Sequence, residues 1–132
     1  MTEREKFEYE RLHHKARENF RNLAIHLREL YEGGNLETLF LPFEGFRSPE
    51  RQNYLFHVEK TTKAKAWQSA HNYGLAVDFV AFQNGKWSWS QHHDWAGLKT
   101  AAINRGLLVP IQWDRPHVEH PIWFQIKQFV IS

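Results

Sequence analysis

Ser69-Ala70-His71-Asn72-Tyr73-Gly74-Leu75-Ala76-Val77-Asp78-Phe79-Val80-Ala81-Phe82 is the stretch on which the reading of this chain turns. From Gly74 to Phe82 it is rich in apolar and β-branched residues, which predicts a strand. On an alternating strand Gly74, Ala76 and Asp78 share one face, and Leu75, Val77 and Phe79 share the other. A carboxylate inside so apolar a strand must be paired, face solvent or bind a cation, because burying it bare is very costly. The small residues flanking Asp78 leave room on its face for something to approach, and His71 stands just before it in a turn-like segment. Read alone, Asp78 fits a salt bridge or a turn-stabilising hydrogen bond as well as a ligand role, and His71 fits a surface or hydrogen-bonded histidine.

Working outward, Asn84-Gly85 is a hairpin signal that joins this strand to a second at Lys86–Trp89. Asp94 can cap a helix from Trp95 to Asn104 that Gly106 ends. Upstream, Ser48-Pro49 reads as an N-cap followed by proline in the first turn, opening a short helix to about Val58. Leu36–Phe43 is a further strand candidate, and Lys60–Gln68 is a polar loop. Between about Glu3 and Glu32, Phe20, Leu23, Leu27, Leu30 and Tyr31 recur at helical steps, with Gly33-Gly34 as a stop. Leu107–Ile111 and His117–Glu119 are short strand candidates around a proline-containing turn. Helices mix with hairpin-linked strands without βαβ alternation. The expectation is a single α+β domain over residues 1–132, a central antiparallel sheet flanked by helices with a metal site at the sheet face. The N-terminal helix is placed at about 3–32 and the motif-bearing core at about 39–120.

A second polar cluster is Trp113-Asp114-Arg115-Pro116-His117-Val118-Glu119. Pro116 stiffens the turn that carries Asp114 against His117. The plainer reading is an exposed turn with a salt bridge between Asp114 and Arg115. Together the clusters supply His, Asp and His, and a catalytic zinc typically takes three protein ligands and leaves a position open. Such an ion lowers the pKa of a bound water to about 7. A carboxylate at Asp114 can then accept its proton and return it to a leaving amine. His13 and His14 read as solvated, His92-His93 as loop residues, and His120 as the rival to His117. Strand positions three apart face opposite sides, so His117 and His120 do not ligate together.

Three segments carry a resemblance. Ser69–Asp78 resembles the S-x-H-x-x-G-x-A-x-D signature of a peptidoglycan-cleaving zinc peptidase family. That family includes D-alanyl-D-alanine carboxypeptidases, D-Ala-D-Ala dipeptidases and phage L-alanyl-D-glutamate endopeptidases. Asp114–Glu119 resembles its D-x-P-H-x-E segment, and Gly45-Phe46-Arg47-Ser48-Pro49-Glu50-Arg51-Gln52 its G-[YF]-R-S-x-x-x-Q segment, all in the family's order. The resemblance implies one Zn2+ held by His71, Asp78 and His117, with Asp114 as catalytic base and Arg47 beside the developing oxyanion. Ser69 and Trp113 are implied substrate neighbours, Ser69 equally suited to a local turn. Asp at position 114 and the wording of the first segment point to L-alanyl-D-glutamate endopeptidase activity on the stem peptide. The alternatives are a D-alanyl-D-alanine carboxypeptidase and a non-catalytic zinc-binding module of the same fold.

Bulk properties agree. At 42% hydrophobic and 15% aromatic the chain can bury a core, which excludes the disordered class. It has no cysteine, so a metal must be held by His and carboxylates. The net charge is only +2, and Lys and Arg are mixed with acids rather than striped, so a nucleic-acid partner is not expected. Membrane insertion is not expected either, since no apolar run nears the ~20 residues a spanning helix needs. A monomer is expected. MTEREKFEYERL lacks the apolar core of a secretory signal. The expected route is therefore synthesis in the cytoplasm, then access to the wall through holin-type release or virion delivery.

Overall fold

The computed structural model describes residues 7–130. Its elements run α1 (Arg17–Glu32), β1 (Leu39–Glu44), α2 (Pro49–Tyr54), β2 (Ala76–Gln83), β3 (Lys86–Ser88), α3 (Trp95–Asn104), β4 (His117–Glu119) and α4 (Trp123–Val130). A 3-10 turn at Tyr9–Arg11, a π turn at Leu55–Glu59 and a 3-10 turn at Ala70–Tyr73 complete the order. The fold is α+β with an antiparallel sheet, as expected.

Every strand pairs with β2. β1 takes one edge, from Leu39↔Phe82 to Glu44↔Asp78. The other edge is shared: β3 pairs with Ala81–Gln83, and β4 with Ala76–Asp78. A register shift between Pro42 and Glu44 marks a bulge at Phe43. It brings Glu44 opposite Asp78 on the same side of the pleat. The two-sided pattern in β2 has the consequence that alternation dictates. Leu75, Val77, Phe79 and Ala81 are wholly buried and join Phe20, Leu23 and Leu27 of α1 and Leu98 and Ala102 of α3 in one core. The opposite side, at Asp78, faces a cleft.

Local chemistry explains the element ends. Asn84 and Gly85 both have positive φ, at 54° and 74°, as the tight hairpin between β2 and β3 requires. The Asp94 side chain accepts from Gly97 N at 2.9 Å to cap α3, and the Ser48 hydroxyl accepts from Arg51 N at 3.1 Å to cap α2.

The structure departs from the sequence reading at three places. The N-terminal helix begins at Arg17, not near residue 3; positions 3–6 lie outside the described residues. Leu12 is extended and buried, and the His13 amide donates to the Gly74 carbonyl at 2.9 Å, so this tertiary bond holds the chain off a helical path. Leu107–Ile111 forms no strand, only a bridge from Leu108 to Glu119, because β4 is three residues long and Pro110 lacks an amide to extend the ladder. Third, α4 follows Pro121, with Trp123 buried; no helix was expected there.

Candidate metal centre

His71 sits in the 3-10 turn Ala70–Tyr73, which Ser69 caps. The Ser69 hydroxyl accepts from His71 N at 3.2 Å, so Ser69 serves the turn that presents the histidine. Gly74 ends the turn at φ +69°, and a Cβ there would stand 2.5 Å from His13 N. Only glycine fits so close a backbone approach. The Gly45–Arg47 segment is laced to the same turn. His71 Nδ1 lies 2.8 Å from the Gly45 carbonyl, Arg47 N donates to the His71 carbonyl at 3.0 Å, and Asn72 Nδ2 donates to the Arg47 carbonyl at 2.9 Å.

With Nδ1 donating to Gly45, His71 Nε2 keeps its lone pair and points at Asp78, 3.2 Å from Oδ1. His117 stands directly opposite Asp78 in the β2–β4 ladder and shares its side of the sheet. Its Nε2 lies 2.8 Å from Glu119 Oε1, which leaves Nδ1 facing Asp78 Oδ1 at 3.5 Å. Glu119 is two residues on and so on the same side, opposite the methyl of Ala76, which leaves it room.

His71, Asp78 and His117 thus aim one donor atom each at a common point, all within 4.8 Å of one another. This group could hold a metal ion, and the donor set fits one. Donors about 2.1 Å from a tetrahedral ion lie roughly 3.4 Å apart, close to the two Asp78 contacts. His120 is not in the group; its Nδ1 accepts from Ile122 N at 3.1 Å.

The charges around the group favour a cation. Burial alone would raise the Asp78 carboxyl, but His71 and His117 outweigh it and hold that carboxyl well below the usual carboxylate range. Burial alone would lower His117, but Asp78 and Glu119 reverse this and push it up to about 10. The pair of imidazoles is therefore set among carboxylates that welcome positive charge, whether from a proton or a metal.

The group lies in a cleft of about 680 Å³ whose lining includes Arg47, Asp114, Trp113 and Ser69. All seven residues singled out in the sequence thus meet there. The Asp114 carboxyl is raised, first by burial and then by Asp78, against the opposing pull of His117, His71 and Arg47. The Arg47 side chain is almost wholly enclosed. Its Nε donates to Glu44 Oε1 at 2.8 Å, a second arm also engages Glu44, Nη1 donates to Gln52 Oε1 at 2.9 Å, and Nη2 stands 4.0 Å from Asp78 Oδ2. Sequence reasoning missed Glu44 behind Arg47, and it placed Glu119 and Gln52 in motif segments without assigning them their supporting roles behind His117 and Arg47. For Glu119 a signal existed, because positions i and i+2 of a strand share a face.

Fold and site together define a class: a small α+β domain with a His-Asp-His candidate metal centre on the open side of an antiparallel sheet. Among solved structures the chain is similar to the L-Ala D-Glu endopeptidase ChiX of Serratia marcescens, with a TM-score of 0.63 and 21% identity over 95% of this chain and 92% of that one. That likeness establishes the shared fold. A scan of protein-family models and a search of curated proteins each found no match. Among the described residues no helix is long and apolar enough to cross a membrane.

Proposed function

We propose that this chain is a zinc peptidase of one catalytic domain that hydrolyses an amide of the peptidoglycan stem peptide, with L-alanyl-D-glutamate as the bond cut. The observation that carries the reading is the convergence of His71 Nε2, Asp78 Oδ1 and His117 Nδ1, with the outer nitrogen of each imidazole tied by Gly45 and Glu119. The fold shared with an L-Ala D-Glu endopeptidase supports the substrate class. His and carboxylate donors without sulfur suit zinc.

His71, Asp78 and His117 would hold the ion, which when bound supplies Lewis acidity and makes water a nucleophile at neutral pH. Asp114 is the proton carrier in the cleft. Its raised carboxyl takes the proton of the attacking water and returns it to the amine that leaves. Arg47 brings fixed positive charge to the same space, where the carbonyl oxygen becomes anionic. Glu44 and Gln52 keep its guanidinium in place. Release at the wall by a phage-type lysis route belongs to this proposal, and so does action as a monomer.

Digestion of purified wall sacculi with zinc-loaded protein tests it. New N-terminal D-Glu is the expected product; released D-Ala would move the assignment to a carboxypeptidase, and neither product would refute the hydrolase. Asp114→Asn is expected to abolish turnover and keep zinc, whereas His71→Ala loses both. An active Asp114→Asn protein would contradict the assigned base.

A further inference from the structure

The mechanism leaves unused a set of exposed aromatic rings at the mouth of the cleft. Trp113 is 70% exposed, Trp89 53% and Phe43 42%. The wall is pre-arranged. Trp89 meets Phe43 edge-on, with centroids 5.2 Å apart and planes at 87°, and Phe43 meets Trp87 in the same manner at 4.9 Å. Large aromatic surfaces left open on a folded domain mark a binding face. Trp89 and Trp113 line the metal-bearing cleft and also an adjoining hollow of about 360 Å³, whose other walls include Gln91, Gln112, Asp114 and Arg115.

Flat aromatic faces ringed by planar amide and guanidinium groups match one ligand chemistry well. A hexosamine ring has a face of C–H groups, which carry partial positive charge and pack on the negative face of an indole. Its hydroxyls and acetamido group extend sideways, where Gln91, Gln112 and Arg115 offer donors and acceptors. The geometry points to a sugar subsite here, taking the N-acetylhexosamine of the glycan strand to which the stem peptide is attached. This rests on the proposed function and sharpens it. The L-alanyl-D-glutamate bond is the first amide beyond L-alanine, so the sugar ring lies about 7 Å from the reacting carbonyl, two chain steps away. A D-alanyl-D-alanine bond is three residues further out, roughly 10 Å more, and would leave the sugar well past this wall. Continuity of the aromatic wall with Asp114 therefore favours the sugar-proximal bond.

The test reads binding, separately from cleavage. Binding to the full chain is titrated by calorimetry with N-acetylmuramyl-L-alanine and with N-acetyl-L-alanine as the sugar-free probe. Saturable binding is expected for the first, at least tenfold tighter than for the second. Trp89→Ala with Trp113→Ala removes that difference, and Trp89→Tyr with Trp113→Tyr restores part of it. Equal affinity for both probes, or a difference that survives the double alanine variant, overturns the subsite. So does sedimentation showing a dimer that the same substitutions dissolve without any sugar preference, which would give the wall to a second copy of the chain. Sugar binding with no cleavage of sacculi would refute the proposed activity alone, and cleavage with equal probe affinities would refute the subsite alone.

Discussion

Removing the Glu119 carboxylate is the sharpest perturbation of the candidate centre that leaves every ligand in place. Its Oε1 lies 2.8 Å from His117 Nε2, with both residues buried, at 4% and 6% exposure. That bond selects the tautomer in which Nδ1 carries the lone pair, and it prevents the ring from turning over. Loss of an outer partner of a ligating histidine typically lowers metal affinity 10–100-fold, about 1.4–2.7 kcal/mol. Glu119→Ala belongs at the upper end, because it removes the acceptor and a buried negative charge together. Glu119→Gln belongs at the lower end, since its amide oxygen can still accept from Nε2–H. The strand itself is held by main-chain bonds, including the reciprocal pair of Glu119 with Leu108, and these survive either change. The assay is competition for zinc against a chromophoric chelator at pH 7, with circular dichroism to verify folding. Unchanged zinc affinity in a folded Glu119→Ala protein would refute the positioning argument.

Three further outcomes follow from the packing. Gly74→Ala places a methyl 2.5 Å from the His13 amide nitrogen at a positive φ, so it should cost more than ~2 kcal/mol and weaken metal binding by shifting the His71 turn; urea unfolding and the zinc assay check both. Phe79→Ala empties a wholly buried site beneath α1 and α3 and should destabilise the domain by about 3–5 kcal/mol in the same unfolding experiment, with zinc affinity little changed. Tyr9 is pushed up to about 12 by burial, against the opposing effect of Arg21. Its folded pKa exceeds the unfolded value near 10, so its contribution is complete below pH ~10 and lost as pH rises toward ~12. Stability should fall by about 1 kcal/mol by pH ~11, and Tyr9→Phe should flatten that decline; an unaltered slope would contradict it.

Much of this architecture is written in local pattern. The two-residue period of β2 separates core from cleft, and the acid among small residues marks the cleft side before any partner is known. The caps of α3 and the Asn84-Gly85 hairpin are similarly local. What escaped depends on contacts between distant residues. The start of α1 is decided by a bond from His13 to Gly74, and no helical period reveals it. The chain after Leu107 is apolar enough for a strand, but it has only a short partner to pair with. α4 did leave a trace, since Ile122, Ile126 and Val130 recur at four-residue steps and pack on the core. Its shortness and the preceding Pro121 hid it. Gln52, wholly buried, holds Arg47 and also donates to the Ala64 carbonyl at 2.6 Å; the sequence marks it as the last fixed position of the Gly45–Gln52 segment, but its role comes from contacts that only the fold supplies.

The lacing of Gly45–Arg47 to Ala70–Asn72 has a wider implication. It brings together the two ends of everything from Ser48 to Ser69, so that excursion leaves the body of the domain and returns at nearly the same place. One wall of the cleft, with Arg51, Leu55, Thr62 and Lys63, is built wholly on it. Because the ends are clasped, the free energy of closing the excursion changes only slowly with its length. Apart from Gln52 and Ser69, whose bonds hold Arg47 and the His71 turn, residues there can be inserted, deleted or exchanged while His71 keeps its aim. The metal group is thus insulated from the surface that meets substrate, and new specificities can be grafted onto an unchanged chemical centre.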